Sequence, residues 1–358
     1  MNIYAVKNNS NIYFRGYDGR TNNVKTNNKI DYCIHESHFM RDIESLSFTT
    51  DYIKTEFPNG THIADFACSK GYETYSLGVL LHNANSDKKY KITGYDITQK
   101  IIDEAKNGIL NIGDFSNYHE RFLSNIYSYF TPLDQNKKSI KEQFKKCFEE
   151  VPKEWMKLNI CNPRYNAKVK KLVTDNQDSE LTIKRIEYLS LTKDDIIRPQ
   201  GKNYIPKRGV FDNIIDFKVE EIQNIDKELT KEKTGVIIFK NALYHVTGNS
   251  SNDYALVDTI PAGDLFKKTN SVLPKNGLFV MGSLHRDHLF NQNNFDNKYE
   301  DLYQNGKQIK VFKTSPIHKL LFENGFESVF YECYKDSKWN NSELNIHLPS
   351  VWKKIKHI

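Results

Sequence analysis

Residues 63–82 read IADFACSKGYETYSLGVLLH. The run from Ile63 to Phe66 is short, apolar and β-favouring. Small residues follow at Ala67, Cys68, Ser69 and Gly71, and Leu77, Leu80 and Leu81 then fall at helical spacing. The stretch predicts a strand, a tight turn and a helix in direct succession. A turn with so little side-chain bulk lets a ligand approach the backbone, with the amides of the following helix aimed at it. An ordinary βα turn is spelled the same way, so the residues around it must decide.

Outward from this turn, strand-like runs recur at 61–67, 90–95, 209–217, 235–240, 277–282 and 326–334. Helical patterns lie between several of them. ITQKIIDEAKNG (97–108) places Ile101, Ile102 and Ala105 on one face and ends on Gly108. SPIHKLLFENG (315–325) opens with a Ser cap and a first-turn Pro and stops at Gly325. Strands alternating with helices predict an α/β fold, a mainly parallel sheet with helices on both faces. From about 112 to 208 the rhythm breaks. That stretch is Lys-rich and helical through SIKEQFKKCFEEV, then irregular through NICNPRY, and reads as a lid or insertion.

Composition bounds the function. The 358 residues are enough for a sizeable core, and 38% of them are hydrophobic. No apolar run approaches the roughly 20 residues that span a bilayer. The first residues, MNIYAVKNNSNIYF, lack a signal peptide's basic-then-apolar layout. Five scattered cysteines without a C-x-x-C pair read as reduced thiols in a cytoplasm and predict no metal site. The net charge of +6 is spread along the chain, which permits a nucleic-acid partner without favouring one.

In a doubly wound sheet, ligands bind beyond the carboxyl ends of the strands near the switch point. KYKITGYD (89–96) ends on Asp96, one βαβ unit after the Gly turn. An acid there can accept hydrogen bonds from both hydroxyls of a ribose. That pairing fits NAD as well as S-adenosylmethionine, but ACSKGY at 67–72 departs from G-x-G-x-x-G. S-adenosylmethionine has no phosphate and tolerates a turn with fewer glycines.

Four stretches in order, HESHFMRD (35–42), ADFACSKGYETYSLGVLL (64–81), YDITQKIIDEAKNGIL (95–110) and IIFKNALYHV (237–246), resemble successive motifs of the CheR-type methyltransferases. LPKNGLFVMGS (273–283) is similar to that family's fifth-strand segment, and SNIYSYF (124–130) is a weak echo in the middle. The resemblance implies a Rossmann-like class I methyltransferase fold and S-adenosylmethionine as cofactor. It also implies methyl transfer to glutamate side chains of a protein. Residue by residue, it places His35 and Ser37 at cofactor contacts, Arg41 at the catalytic arginine and Asp96 at the ribose-binding acid. Ala67 and Gly71 fall in the cofactor turn. Where the family carries Thr before Gly and two Glu after it, this chain has Lys70, Tyr72 and Glu73. The family's Arg-Asn pair becomes Lys240-Asn241, its following Tyr aligns with His245, and Tyr244 is adjacent. A contact near the adenine falls at Glu221-Ile222 or, shifted, toward Asn224. Only 34 residues precede the first motif, so the family's N-terminal helical domain is not expected.

The expected organisation is an N-terminal extension at 1–34 and a methyltransferase domain at 35–358, with the insertion at about 112–208 between its second and third strands. A carboxylate nucleophile needs positioning and charge compensation, which the Arg41 guanidinium can supply by bidentate pairing. An amine or hydroxyl acceptor needs deprotonation, for which His245 is the best-placed base. RNA, a small molecule, or a module that binds the cofactor without turnover are the alternatives. Asn162-Pro163-Arg164-Tyr165 resembles the N-P-P-Y loop of amine-directed methyltransferases, but precedes the expected fourth strand by about seventy residues and reads as a turn.

Overall fold

The computed structural model describes residues 2–8, 11–17, 39–40, 43–82, 89–108, 110–111, 140–150, 203–229, 233–240, 242–243, 246, 259–281, 299–312, 316–334 and 346–357. In chain order these begin with an antiparallel hairpin, β1 (Asn2–Asn8) and β2 (Asn11–Tyr17), and α1 (Ile43–Glu56). A βαβα unit follows: β3 (Thr61–Phe66), α2 (Tyr72–Leu81), β4 (Tyr90–Asp96) and α3 (Gln99–Asn107). Next come β5 (Leu110–Asn111), α4 (Ile140–Cys147), β6 (Phe148–Glu150) and β7 (Asn203–Pro206), and the three strands form a small antiparallel sheet. The main unit resumes with β8 (Ile215–Val219), a single 3-10 turn at Ile222–Asn224, α5 (Ile225–Glu228), β9 (Thr234–Ile238), α6 (Thr259–Val272) and β10 (Leu278–Val280). It closes with β11 (Tyr299–Gln304), β12 (Lys307–Phe312), α7 (Pro316–Glu323), β13 (Phe326–Tyr334) and β14 (Ile346–Lys354).

Five parallel strands lie side by side in the order β8-β4-β3-β9-β10. Counted along the main unit this is third, second, first, fourth, fifth, the order of a Rossmann-like sheet, with the switch point between β3 and β9. The expected mainly parallel, Rossmann-like α/β sheet is present. β14 runs antiparallel to β10 at 351–353 and pairs β13 along its other side. Nearer its start, β14 also meets β12 in parallel at Ile346 and His347.

Side-chain alternation puts one core on each face of the sheet. Ala64, Phe66, Ile237 and Phe279 pack with Phe266 of α6 and Ile317 and Leu321 of α7. Ile63, Ile92, Val236, Ile238 and Val280 pack with Leu46 and Ile53 of α1 and Leu77 and Leu81 of α2. The central strands are therefore rich in apolar residues on both faces, as a covered sheet requires. β3 also buries polar groups, among them His62 and, near its end, Asp65. The His62 ring bridges Thr234 Oγ1 at 2.8 Å and Thr93 Oγ1 at 2.9 Å, so both nitrogens are satisfied.

Several local readings hold. α3 buries Ile101, Ile102 and Ala105 and ends on Gly108 in the left-handed region at φ 65°. Gly325 follows α7 at φ 80°. Two readings are corrected. The strand expected at 209–217 begins only at Ile215, because Gly209 and Asn213 take left-handed φ values of 78° and 60° and turn the chain before it pairs. SIKEQFKKCFEEV is helical only to Cys147, since Phe148–Glu150 pairs β7 instead. The capping reading of Ser315 and the NICNPRY and SNIYSYF stretches lie outside the described residues.

Candidate functional site

The turn between β3 and α2 alternates into the left-handed region at Ala67 (φ 58°), Ser69 (φ 51°) and Gly71 (φ 79°). Two of these are L-residues with a Cβ, a conformation that persists only when surrounding contacts impose it. Those contacts are visible. Cys68 N–H donates to Tyr95 O at 2.9 Å and Gly71 N–H to Cys68 O at 2.9 Å, while Ser69 N–H donates to Asp96 Oδ2 at 3.0 Å. At Gly71 the missing side chain serves packing: a Cβ there would meet Phe217 Cζ at 2.8 Å and Ala105 Cβ at 3.3 Å.

Asp96, 5% exposed at the end of β4, is held by both βα turns. Ser69 N–H reaches one carboxylate oxygen, and Thr98 N–H donates to the other, Oδ1, at 3.2 Å. A carboxylate has about four lone-pair sites, and these two N–H groups take one on each oxygen. The Ser69 and Thr98 hydroxyl oxygens beside it are buried without a hydrogen-bond partner. Val219, in register with Asp96 at the end of β8, and Ile97, just past β4, are 43% and 45% exposed.

On the β3 side of the turn lies a charged cluster. Asp65 is 2% exposed, and Thr74 Oγ1 donates to its Oδ2 at 2.6 Å. Glu73, in the first turn of α2 where the helix dipole favours an acid, has its Oε2 3.6 Å from Lys240 Nζ. Lys240 follows β9 and is itself buried. Burial, then the neighbouring Glu73, push the Asp65 carboxyl well above its usual range; Asp96 adds to this, while the Thr74 hydroxyl and Lys240 oppose it. Burial and the same acids also push the Cys68 thiol well up, so it stays protonated and is a poor nucleophile or metal ligand. The described residues contain no His, Cys, Asp and Glu group suited to a metal ion.

Of the residues expected at the site, the structure brings together Ala67, Gly71, Glu73, Asp96 and Lys240 around the carboxyl ends of β3, β4 and β9. Glu221 and Ile222 sit just past β8, whose continuation is tied back by Glu220 N–H donating to Asp96 O at 3.0 Å. Glu221 is exposed, whereas Ile222 is buried in the core cluster that includes Tyr95. Asn224, the shifted alternative, donates from Nδ2 to Glu220 Oε1 at 2.8 Å. His35, Ser37, Arg41, Asn241, Tyr244 and His245 lie outside the described residues. Met40 is described: its N–H donates to Ser76 Oγ of α2 at 2.8 Å.

The sequence reading did not single out Asp65, Thr74, Thr98 or the orphaned Ser69 hydroxyl. A signal for Asp65 was present, since a charged residue in the middle of the apolar run IADF needs a reason. Thr74 and Thr98 carried none, because a Thr near a helix start is ordinary.

Residues 35–161 match the family model for the CheR methyltransferase, SAM binding domain. No curated protein matches the chain in sequence. Similar solved structures include a SAM-dependent methyltransferase from Methanosarcina mazei, at 12% identity and TM-score 0.33, with 83% of this chain and 93% of that one covered. An rRNA methyltransferase from Streptomyces viridochromogenes aligns at 9% identity and TM-score 0.30, over 70% of this chain and 76% of that one. A protein from Pyrococcus horikoshii aligns at 9% identity and TM-score 0.34, over 88% and 91%. At such loose overlap the fold assignment stands on the strand order alone. The matched segment identifies a CheR-type S-adenosylmethionine-binding methyltransferase domain, and S-adenosylmethionine is the cofactor it implies. The local chemistry fits that cofactor: acids predominate in the cluster, as suits a cationic ligand, and a buried hydroxyl at Ser69 awaits a partner.

Proposed function

From a CheR-type S-adenosylmethionine-binding segment, we propose that this chain transfers the cofactor's methyl group to a carboxylate, a glutamate side chain, of a protein. The observation that supports the cofactor site in this reading is Asp96, fixed at the end of β4 by one N–H from each of two βα turns, while the carboxylate acceptor follows from the CheR-type match. In this reading Asp96 holds the ribose hydroxyls, and the 67–71 turn faces the cofactor. Ile97 and Val219 offer the adenine an apolar surface, with Glu221-Ile222 beside it. Glu73 and Lys240-Asn241 face the charged amino-acid end, together with His35 and Ser37. Bound there, S-adenosylmethionine supplies an electrophilic methyl on a sulfonium. Arg41 orients the acceptor carboxylate and balances its charge; His245 and Tyr244 complete the acceptor side.

Residues 112–208 are read as an insertion within the 35–358 methyltransferase domain, after a 1–34 extension. The buried free thiols of Cys68 and Cys147 support a reducing, cytoplasmic setting. No described helix is long and apolar enough to cross a membrane.

The test is methyl labelling of a cell lysate with methyl-labelled cofactor, followed by alkaline treatment. Carboxyl esters release the label as methanol, and methylated nitrogen keeps it. On the acceptor so identified, Arg41→Ala should lower turnover by about two to three decades, the equivalent of roughly 2.7–4 kcal/mol. Cofactor affinity should fall far less. Base-stable label, or full turnover in the variant, would sink the carboxylate assignment.

A further inference from the structure

Asp65 is placed as no other described acid is. Its strand neighbours in register are Gly94 on β4 and Ile238 on β9, so neither flanking strand puts an ionisable side chain beside it. The charged groups that reach it are Glu73 from α2, Asp96 from the end of β4 and Lys240 from the end of β9, with the Thr74 hydroxyl donating to it and the Cys68 thiol nearby. Among the described residues this sets three carboxylates against one ammonium. With Asp96 held by two N–H donors, Asp65 has one short hydrogen bond from a neutral hydroxyl and shares the Lys240 charge with Glu73, whose Oε2 lies 3.6 Å from Lys240 Nζ.

This arrangement matters because the two nucleosides that would occupy the site differ in charge. S-adenosylmethionine carries a sulfonium and an ammonium against one carboxylate, a net positive charge. S-adenosylhomocysteine, left after the methyl departs, has lost the sulfonium and is neutral overall. We propose that Asp65 exchanges a proton with the state of the cofactor. It is a carboxylic acid when the site is empty or holds S-adenosylhomocysteine, and a carboxylate when the sulfonium is bound. On binding the sulfonium, the Asp65 O–H bond breaks, the proton leaves to solvent and the carboxylate charge offsets the cation. When the methyl has been transferred, Asp65 takes a proton back and the extra attraction disappears. Asp65 thus acts on specificity through charge and without contact with the reacting atoms. The elevation of its carboxyl above the usual range agrees with a resting acid. The inference rests on the S-adenosylmethionine reading of this site and assigns it a way to favour fresh cofactor over spent product.

Calorimetric titration of the full chain with each nucleoside, in buffers of different ionisation enthalpy near pH 7, counts the protons exchanged. S-adenosylmethionine should release more protons than S-adenosylhomocysteine, the difference approaching one. Its affinity relative to S-adenosylhomocysteine should then rise by up to about tenfold per pH unit. Asp65→Asn should abolish the difference in proton count. Should that variant fail to fold, Thr74→Val removes the hydroxyl that favours the ionised form, and should move the pH at which the difference appears upward. Equal proton counts for the two nucleosides, or a difference that survives Asp65→Asn or ignores Thr74→Val, overturns the inference alone. No binding of either nucleoside by the folded protein overturns the cofactor reading and this inference with it.

Discussion

Asp96→Ala separates what the Asp96 carboxylate does for the fold from what it does for a ligand. In the folded chain it accepts Ser69 N–H at 3.0 Å and Thr98 N–H at 3.2 Å. Ser69 is buried, so its N–H loses its partner without gaining water, at a cost of about 1–3 kcal/mol. Thr98 is less buried, and its N–H can turn to solvent more cheaply. The substitution should therefore lower unfolding free energy by about 1–3 kcal/mol, read by urea denaturation at neutral pH. Ligand affinity carries a second loss. Charge-assisted hydrogen bonds to a ribose diol are worth roughly 1.5–3 kcal/mol, one to two decades in Kd. A loosened turn could lower affinity too, so the variant by itself is ambiguous. A cycle with the 2′-deoxy analogue of S-adenosylhomocysteine resolves it. The unmodified protein should lose about a decade of affinity on removal of the 2′-hydroxyl. Asp96→Ala should bind both forms alike, because the group that read the hydroxyl is gone. An equal deoxy penalty in both proteins would refute the reasoning, placing the ribose elsewhere.

Gly71→Ala should cost about 2–4 kcal/mol, combining a left-handed backbone with overpacking against Phe217. Gly209→Ala should cost only about 1–2 kcal/mol in the same denaturation assay, since its φ of 78° is similar but nothing lies within 4 Å of the added Cβ. Lys240→Met should destabilise by about 3 kcal/mol by leaving Glu73 and Asp65 without their buried cation, and adding Glu73→Gln should recover part of that loss. Because the folded carboxyl of Asp65 is raised above its unfolded value near 3.9, its stabilising contribution is complete below that value and is lost as pH rises through the folded one. Denaturation of Asp65→Asn at pH 5 and pH 7.5 should show the variant gaining on the parent as pH increases. A constant difference would mean that the carboxyl titrates alike in both states.

Much of the fold was legible in the chain because its signals are local. The βα turn at 67–71, the strand ending on Asp96 and the helix closed by Gly108 each depend on periodicity and turn residues within a dozen positions. The strand near 215 was read too early because Phe211 and Ile214 are apolar for packing, whereas Gly209 and Asn213 bend the backbone ahead of the ladder. Alternating pattern alone cannot distinguish a buried turn residue from a paired one.

Residue types and spacing by themselves determined a mainly parallel α/β sheet and an acid at the end of its second strand, and the motif resemblance added the Rossmann-like fold and S-adenosylmethionine. Tertiary structure alone decided what those residues are physically. Gly71 is required by the ring of Phe217, from a strand far along the chain. Asp65 becomes an unusual acid because the fold buries it and gathers Glu73 and Asp96 beside it, against which Lys240, arriving from the end of β9, acts in the opposite direction. Desolvation and charge coupling follow distance through space, which strand order sets and separation along the chain does not.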